Sequence, residues 1–282
     1  MKLVVTGALG HIGSRMIREL PLLFPGVEIV MIDNLTTQRY SSLFNLPTQG
    51  VYTFIEGDIL TLGLEPLFSD VDAVINLAAI TDATKSFENK EQVEHVNYTV
   101  SQRVAEACVT TGTKLFLISS TSVYGTQKEQ VDENCSLEEL NPQSPYAATK
   151  LKEEDLVKRK VSEEGLEAVI LRLGTIFGAS PGMRFHTAIN KFCWQAVMGQ
   201  PLTIWKTAYN HKRPYLDLTD AIRAVAHFLE KDLFDGQVYN VVTLNSTVKE
   251  MVESIQVFVP NLKTEFVDSK IMNQLSYEVL NT

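Results

Sequence analysis

Two short runs decide the fold of this chain: LFLISSTSVYG (residues 115–125) and, after a polar loop, SPYAATK (residues 144–150). The apolar start of the first run is typical of a buried parallel strand, which here delivers Ser119 and Ser120 to the edge of a sheet. The second run opens a helix, because a serine that can cap it is followed by a proline suited to the first turn. Hydroxyls at a strand end beside the start of a helix indicate an α/β fold with a site at that edge.

Tyr146 and Lys150 of the second run are four residues apart, so they share one face of the predicted helix. A free phenol has a pKa of ~10, and lowering it by ~3 units requires about 4 kcal/mol of preference for the phenolate. An ammonium roughly 5 Å away favours the phenolate by about 3 kcal/mol at an effective dielectric constant of ~20. With the Ser120 hydroxyl, the pair is a candidate acid–base site, although Tyr-x-x-x-Lys alone is a common pattern.

Glycines near the amino terminus indicate a nucleotide-binding turn. An apolar run at residues 3–6 predicts a buried strand, and GALGHIG (residues 7–13) follows it directly. Such glycines let the backbone approach a pyrophosphate at the start of a helix. A second predicted strand ends in Asp33, whose carboxylate can accept hydrogen bonds from the adenosine ribose. An acid there disfavours a 2′-phosphate, so the sequence favours NAD over NADP, with nearby Arg39 as the contrary feature.

Predicted strands and helices alternate from the first residue onward. The predicted strands are 3–6, 27–32, 52–56, 73–77, 115–118 and 168–173, and the predicted helices are one from Ser14 that ends before Pro21, then 90–110 and 146–164. This alternation predicts a doubly wound parallel sheet. Later segments are predicted as helices at 187–198, 217–229 and 248–257, strands at 202–205 and 237–242, and a basic loop at 210–214. We therefore expect a dinucleotide-binding domain over 1–174 and a smaller substrate-binding lobe over 175–282, with strand 237–242 returning to the main sheet.

The composition limits the classes of partner. Of 282 residues, 45% are hydrophobic and 21% are charged. The formal net charge of −9 argues against a nucleic-acid surface, and no apolar stretch is long enough to cross a membrane. The amino terminus has no signal-peptide pattern. Cys108, Cys135 and Cys193 are odd in number and widely spaced, which indicates free thiols in a reducing compartment. We therefore expect a cytoplasmic protein without a metal site.

Several motifs occur in order along the chain at fitting distances. They are TGALGHIG (6–13), DNL (33–35), GDI (57–59), LAA (77–79), Asn97, SSTSVYG (119–125), YAATK (146–150) and Arg172. With these motifs the chain resembles the extended short-chain dehydrogenase/reductases, the branch that contains nucleotide-sugar epimerases, dehydratases and decarboxylases. The resemblance covers nearly the whole chain and implies a Rossmann fold, NAD as the cofactor and a nucleotide sugar as the substrate.

The resemblance also implies roles for individual residues. Tyr146 takes the proton of a sugar hydroxyl, Lys150 holds the nicotinamide ribose and lowers the tyrosine pKa, and Ser120 hydrogen-bonds the reacting oxygen. The implied cofactor site comprises Tyr146 and Lys150 with Gly7, Gly10, His11, Ile12, Gly13, Asp33, Asn34, Asp58, Ile59, Leu77, Ala78 and Ala79. The implied substrate site comprises Thr81, Ser120, Thr121, Ser122, Tyr146, Thr175 and Arg213, with Arg213 on the pyrophosphate. Asn97 is expected to brace a strand and a helix.

Departures from the family pattern narrow the function. Thr121 and Ser122 stand where 4,6-dehydratases carry an Asp-Glu pair for the elimination of water. Asn76 replaces a frequent histidine, and Thr175 stands where many relatives have an asparagine that contacts the sugar. The chain also stops near Val279, where relatives normally continue.

The leading prediction is an NAD-dependent nucleotide-sugar epimerase that inverts C4 through a transient 4-keto sugar. One alternative is an NAD-dependent nucleotide-sugar dehydrogenase or decarboxylase, which shares the first half-reaction. Another is a non-catalytic dinucleotide-sensing module, against which the intact Tyr146 and Lys150 argue. Family members pair through the helices predicted at 90–110 and 146–164, so a homodimer is expected. Val104, Ala107 and Leu151 fit either that interface or the core.

Overall fold

The computed structural model describes residues 1–81, 85–125, 129–136, 138–268 and 276–281. Its strands, in chain order, are β1 (Lys2–Thr6), β2 (Glu28–Asp33), β3 (Val51–Glu56), β4 (Ala73–Asn76), β5 (Lys114–Ser120), β6 (Gln130–Val131), β7 (Ala168–Leu173), β8 (Thr175–Phe177), β9 (Leu202–Trp205), β10 (Arg213–Asp217), β11 (Asp235–Val241), β12 (Leu244–Ser246), β13 (Thr264–Val267) and β14 (Glu278–Val279). Its helices are α1 (His11–Leu23), α2 (Glu65–Phe68), α3 (Lys90–Thr111), α4 (Pro145–Glu164), α5 (Ala188–Val197), α6 (Leu218–Lys231) and α7 (Val248–Phe258).

The main sheet has the strand order β3-β2-β1-β4-β5-β7-β11. All neighbouring strands in it are parallel. Its central strands are mostly apolar, as strands covered on both faces must be. α1 and α6 pack on one face through residues such as Ile17 and Val225, and α3 and α4 pack on the other through Val104 and Val157. The predicted doubly wound α/β fold is confirmed.

The strand order changes direction between β1 and β4. In sheets of this kind the ligand crevice opens at that point, beyond the carboxyl ends of the strands. Thr6 ends β1 in register with Asn76 at the end of β4, and Thr6 Oγ1 donates a hydrogen bond to Asn76 Oδ1 at 2.7 Å. The glycine turn therefore starts at the crevice, and Ser120 at the end of β5 lies one strand further along it.

The second half of the chain forms a smaller layer outside the main sheet. β8 pairs with β10, β10 pairs with β12, and β9 pairs with β13. α5 and α7 pack on β9 through Phe192, Ile204 and Val252. β11 lies in the main sheet beside β7, and β14 pairs with β6. The division into domains at residue 174 stays a prediction.

Two of the differences from the predicted boundaries have a clear physical cause. α1 continues through Pro21 to Leu23. Pro21 lies in the last turn, where its missing amide removes only one helix hydrogen bond, and Phe24 N closes the helix on the Leu20 carbonyl at 2.7 Å. Residues 210–214, predicted as a loop, contribute Arg213 and Pro214 to β10, because pairing with β12 keeps these two residues extended.

The apolar positions considered for a subunit interface belong to the core. Val104 and Ala107 are buried within the single chain, and Leu151 packs beside Tyr124. They therefore support core packing rather than an interface. Within the described ranges, no helix is both long enough and apolar enough to cross a membrane.

Candidate active site

α4 carries the phenol and the ammonium of the predicted site. Ser144 caps this helix, since its Oγ accepts a hydrogen bond from Ala147 N at 3.2 Å. Tyr146 N donates to Ser86 Oγ at 3.4 Å. Lys150 Nζ lies 5.8 Å from the centre of the Tyr146 ring, so the two side chains share one face of the helix.

The Ser120 hydroxyl is fixed by the one-turn helix that follows β5 (Thr121–Val123). Ser120 Oγ accepts hydrogen bonds from Ser122 N at 3.2 Å and from Ser122 Oγ at 2.9 Å. A hydroxyl has two acceptor sites and one proton. Because both acceptor sites are taken, the Ser120 proton is left to donate to an oxygen in the cavity.

The surroundings of Tyr146 do not by themselves favour the phenolate. Burial raises the pKa of Tyr146 above its ordinary value, Lys150 and Arg184 oppose the rise, and Glu153 adds to it. Burial acts to lower the pKa of Lys150, but Glu153, whose Oε2 lies 2.9 Å from Lys150 Nζ, acts together with Tyr146 and Glu154 to outweigh burial and raise that pKa. The lowering of the tyrosine pKa expected from Lys150 is therefore one contribution among several, and burial exceeds it.

A buried ion pair anchors α4 to the main sheet. Glu154 accepts hydrogen bonds from Arg172 Nε at 2.9 Å and Nη2 at 2.7 Å, and from Ser119 Oγ at 2.5 Å. Arg172 Nη1 donates to Tyr124 Oη at 3.0 Å, and Tyr124 Oη donates to Asn240 Oδ1 at 2.9 Å. These contacts join α4 to β5, β7 and β11, and they hold the start of α4 beside the end of β5.

The glycine turn suits a dinucleotide, because its glycines leave no room for side chains. A Cβ on Gly7, whose φ is +61°, would lie 2.8 Å from the backbone of Leu77, and one on Gly13 would lie 2.6 Å from Gly7 O. Gly10 caps α1, so the amides at the start of that helix face the crevice. Backbone amides at a helix start favour a pyrophosphate. The residues present therefore fit NAD.

Asp33 lies at the predicted adenosine end of this site. Its Oδ2 accepts a hydrogen bond from Leu9 N at 3.0 Å, which ties the end of β2 to the glycine turn. Asn34 Nδ2 donates to Asp58 Oδ2 at 3.1 Å, so these two predicted cofactor residues lie together. Burial lowers the pKa of Arg39 and the Asp33 carboxylate opposes this, so the arginine lies near the same carboxylate.

The other predicted cofactor residues fall into two groups. Ile12, Leu77 and Ala79 line the cavity described below, and Ala78 N donates to Thr6 Oγ1 at 3.2 Å beside the turn.

The side chains of Ile59 and His11 lie elsewhere. Ile59 is buried in the core with Leu64, while His11 Nε2 lies 2.9 Å from Gly178 O. Burial lowers the pKa of His11. Neither side chain lines the cavity, because each is packed into a neighbouring part of the fold.

A cavity of about 370 Å³ lies between the crevice and the smaller layer. Its walls from the main sheet and α4 include Thr81, Ser120, Ser122, Tyr146 and Lys150. Its walls from the second half of the chain include Thr175, Arg184, Lys191 and Arg213. The structure thus brings most of the predicted substrate residues together, and it adds Arg184 and Lys191, for which the sequence holds no motif.

Asn97 joins α3 to the segment that follows β4, whereas the sequence predicted a brace between a helix and a strand. Its Oδ1 accepts from Ile80 N at 2.7 Å and its Nδ2 donates to Ile80 O at 2.9 Å. This pair of bonds fixes the backbone next to Thr81 on the cavity wall.

Thr121 is placed differently from the prediction. It is 3% exposed, and its Oγ1 donates to Leu173 O at 3.3 Å. Its carbonyl accepts the Tyr277 hydroxyl at 3.2 Å. The Thr121 side chain therefore ties the turn after β5 to the end of β7, and it does not line the cavity.

Tyr277 is a cavity residue that sequence patterns did not indicate. Its ring centre lies 4.7 Å from the guanidinium carbon of Arg213. The tyrosine is buried and lines the cavity beside Arg213. It follows no motif and lies far along the chain from the other site residues, so only folding reveals its position.

A model of the NAD dependent epimerase/dehydratase family matches residues 3–241. The chain belongs to this family. The Bacillus subtilis (strain 168) protein named uncharacterized UDP-glucose epimerase YtcB is 34% identical over 251 residues, which are 86% of this chain and 76% of that relative. The trifunctional Arabidopsis thaliana protein RHM1 is 30% identical over 292 residues. The match covers 98% of this chain and 42% of that protein. Its name includes UDP-glucose 4,6-dehydratase.

Solved structures of related enzymes share the fold of this epimerase/dehydratase family member. The UDP-glucuronic acid 4-epimerase from Bacillus cereus, in complex with UDP-glucuronic acid and NAD, gives a TM-score of 0.88 at 27% identity, with 99% of this chain and 90% of that chain covered. The UDP-N-acetylglucosamine 4-epimerase from Methanobrevibacter ruminantium M1 gives a TM-score of 0.85 at 25% identity, with 98% of this chain and 88% of that chain covered. The predicted family, enzyme class and NAD cofactor are confirmed.

Proposed function

We propose that this protein is an NAD-dependent nucleotide-sugar epimerase that inverts C4 of the sugar through a transient 4-keto form. The observation that carries the proposal is a single cavity lined by Tyr146, Lys150 and Ser120, with Arg213 on the opposite wall. Bound NAD supplies a hydride acceptor and donor in such a reaction. The protein itself must move a proton, hold the reacting oxygen and let the sugar turn.

Tyr146 accepts the proton of the C4 hydroxyl and returns it after the sugar has presented its other face. Lys150 provides the positive charge that opposes the burial of the phenolate. Ser120, whose acceptor sites are filled by Ser122, donates its own proton to the reacting oxygen. No group of the protein ends the cycle changed, so epimerisation needs no second substrate.

Arg213 is suited to the diphosphate of the substrate. Its planar guanidinium can form paired hydrogen bonds with phosphate oxygens, and the Tyr277 ring supports it from one side. A substrate held by its diphosphate keeps the bonds to the sugar free to rotate. Rotation of the sugar is what the return of hydride to the opposite face requires.

The charge of the cavity favours a sugar acid. Among the described residues of its lining, the lysines and arginines are Lys150, Arg184, Lys191 and Arg213, and none is Asp or Glu. A carboxylate on the sugar adds a third negative charge to the two of a nucleoside diphosphate. Arg184 acts on the Tyr146 phenol and contacts Thr81, so it lies toward the reacting end. We therefore propose nucleotide-linked uronic acids as the first substrates, in agreement with the Bacillus cereus relative bound to UDP-glucuronic acid.

Other reactions of the family begin with the same oxidation. A dehydrogenase or oxidative decarboxylase accumulates NADH, and a 4,6-dehydratase needs an acid and a base beside the sugar to eliminate water. Thr121 and Ser122 stand at the positions of that acid–base pair, and neither can supply it. This favours epimerisation over dehydration and leaves the oxidative alternative to be tested by its product.

The test incubates purified protein and NAD with UDP-glucuronic acid, UDP-glucose and UDP-N-acetylglucosamine in turn. Products are identified by NMR while NADH absorbance is followed. We expect the C4 epimer of the sugar acid and no accumulating NADH. Accumulated NADH or loss of water contradicts the epimerase, whereas equal turnover of the neutral sugars contradicts only the sugar-acid assignment.

The Tyr146→Phe variant tests the base directly. We expect turnover to fall by at least about 10²-fold, because the general base is lost, while NAD binding is kept. Tyr239→Phe, which removes a hydroxyl that bonds Asp235 on β11 and does not line the cavity, is the matched control and should remain active. Full activity of Tyr146→Phe would refute the mechanism.

A homodimer and a cytoplasmic location also belong to the proposal. The outer faces of α3 and α4 support the dimer, because they form a groove lined by charges of both signs that a second copy can complement. Glu94 and Lys152 already pair across the two helices. The cysteines are free thiols, which agrees with a reducing compartment.

A further inference from the structure

A buried carboxylate that the mechanism above does not use lies directly behind Lys150. Glu153 Oε2 is 2.9 Å from Lys150 Nζ, and only 1% of Glu153 and 5% of Lys150 are exposed. The next residue on α4, Glu154, is also buried but pairs with Arg172 in the anchor of the helix. Glu153 instead pairs with the ammonium that the proposed chemistry needs.

The same Glu153 oxygen that pairs with Lys150 also accepts a hydrogen bond from α3. Ser101 Oγ of α3 donates to Glu153 Oε2 at 2.7 Å, and Asn76 Nδ2 at the end of β4 donates to Ser101 Oγ at 3.4 Å. Glu153 Oε1 is buried and has no hydrogen-bonding partner among the described residues. A buried oxygen without a partner lowers stability. Among the described residues, the Glu153 carboxylate is therefore held through Oε2, by Lys150 and Ser101.

Two elements bring charges to the Tyr146 phenol. α4 contributes Lys150 and Glu153, and the segment before α5 contributes Arg184. Lys150 in turn faces Tyr146, Glu153 and Glu154. While Glu153 is ionised, it balances much of the Lys150 charge that would otherwise act on the phenol.

We propose that Glu153 is a positioning residue that keeps the Lys150 ammonium charged and fixed, and that thereby sets the pH range in which Tyr146 acts as the base. This inference rests on the proposed function, in which Tyr146 takes the sugar proton. Glu153 makes the phenol harder to ionise, which raises the acid limit of the range. It also makes the ammonium harder to deprotonate, which raises the alkaline limit.

Glu153→Gln tests the inference, because the amide keeps the size of the side chain and removes its charge. We expect the acid limb of the pH profile of kcat/KM to move down by about one unit, so that turnover below the limb becomes about tenfold faster than in the unmodified protein. The alkaline limb should move down as well. An unchanged profile overturns the inference.

The matched control is Glu164→Gln. Glu164 pairs with Lys160 at 2.8 Å on the exposed part of the same helix. Its loss removes the same charge from α4 at a distance from the cavity. The pH profile of this variant should match that of the unmodified protein, and an equal shift in both variants overturns the inference.

A second readout does not depend on turnover. The Tyr146 phenol is titrated in NAD-loaded protein as the absorbance difference from the Tyr146→Phe variant. Glu153→Gln should lower the midpoint by about one unit, and an unchanged midpoint overturns the inference. A lowered midpoint without turnover of any nucleotide sugar supports the role of Glu153 and contradicts the proposed function.

Glu153→Asp covers the case in which Glu153→Gln does not fold. The shorter side chain keeps the charge and withdraws the carboxylate from Lys150 Nζ. We expect the phenol midpoint to fall in the same direction by a smaller amount. A midpoint equal to that of the unmodified protein overturns the inference.

Discussion

The Ser120 hydroxyl is prepared to donate, because Ser122 fills its acceptor sites through N and Oγ. As C4 is oxidised, the C4 oxygen that accepts the Ser120 proton in a hydrogen bond gains negative charge. The hydrogen bond from Ser120 to this oxygen therefore strengthens toward the transition state. For Ser120→Ala we expect kcat to fall by about 10²-fold with little change in the Kd of NAD. Steady-state kinetics and a separate NAD titration measure the two quantities.

Ser122→Ala is the control for this prediction. It removes one hydrogen bond to Ser120 Oγ but leaves Ser122 N donating. We expect kcat to fall by less than about tenfold, which is the effect of one ordinary hydrogen bond. If Ser122→Ala is as damaging as Ser120→Ala, the donor to the reacting oxygen is Ser122 instead.

Local sequence patterns made Ser120, Tyr146 and Lys150 predictable as a group. Each lies at a strand end or on one helical turn, and such positions are determined by neighbours in the chain. Glu153 has no such pattern, because it is one of several charged residues on its helix and becomes distinctive only when Ser101 packs against it. Arg184 contacts Thr81, 103 positions earlier, which no local pattern can indicate.

Among the elements, α4 depends on a buried ion pair for its position. Glu154→Ala leaves the Arg172 guanidinium buried without its carboxylate. We expect the free energy of unfolding to fall by about 3–5 kcal/mol, because an unpaired buried charge is strongly destabilising. Urea unfolding followed by circular dichroism measures this loss.

The surface pair on the same helix provides the comparison. Glu164→Ala breaks the pair with Lys160 at 2.8 Å, where the Glu164 side chain is 42% exposed. We expect a change of about 0.5 kcal/mol or less, as is usual for exposed pairs. If the free energy of unfolding falls equally in the two variants, burial does not determine how much the Arg172–Glu154 pair contributes to stability.

The elements of the main sheet were predictable, whereas β9 was the one strand of the smaller sheets that the sequence predicted. Strands such as β1 and β7 are continuous apolar runs, which indicate burial on both faces. β6 and β14 have two residues each, too few to show a period. They become strands by pairing across a long separation, and Gln130 and Glu278, which face each other there, lie 148 positions apart.

For the whole molecule, overall charge and site charge have opposite signs. The chain carries a formal net charge of −9, yet the described lining of its cavity contains lysines and arginines without Asp or Glu. Composition therefore excluded a nucleic-acid surface but could not reveal a site for an anionic small molecule. The cavity acquires its charge because folding brings Lys150 of α4 together with Arg213 of β10.

Tyr277 joins the end of the described chain to the substrate wall of the cavity. Its ring lies 4.7 Å from the Arg213 guanidinium carbon, and its hydroxyl donates to Thr121 O at 3.2 Å. For Tyr277→Ala we expect the KM for the nucleotide sugar to rise about tenfold, the effect of losing a partly buried cation–π contact. The Kd of NAD should not change, because the glycine turn lies on the other wall.

Tyr277→Phe separates the ring from the hydroxyl. It keeps the contact with Arg213 and removes only the hydrogen bond to Thr121, so its KM should stay close to that of the unmodified protein. Initial rates at varied nucleotide sugar and a fluorescence titration of NAD give both quantities for each variant. An unchanged KM in Tyr277→Ala would show that the ring does not position Arg213, whereas a weakened NAD site would show that Tyr277 supports the fold beyond this wall. The ring accounts for the position of Arg213 only if KM rises in Tyr277→Ala alone and the affinity for NAD stays the same in both variants.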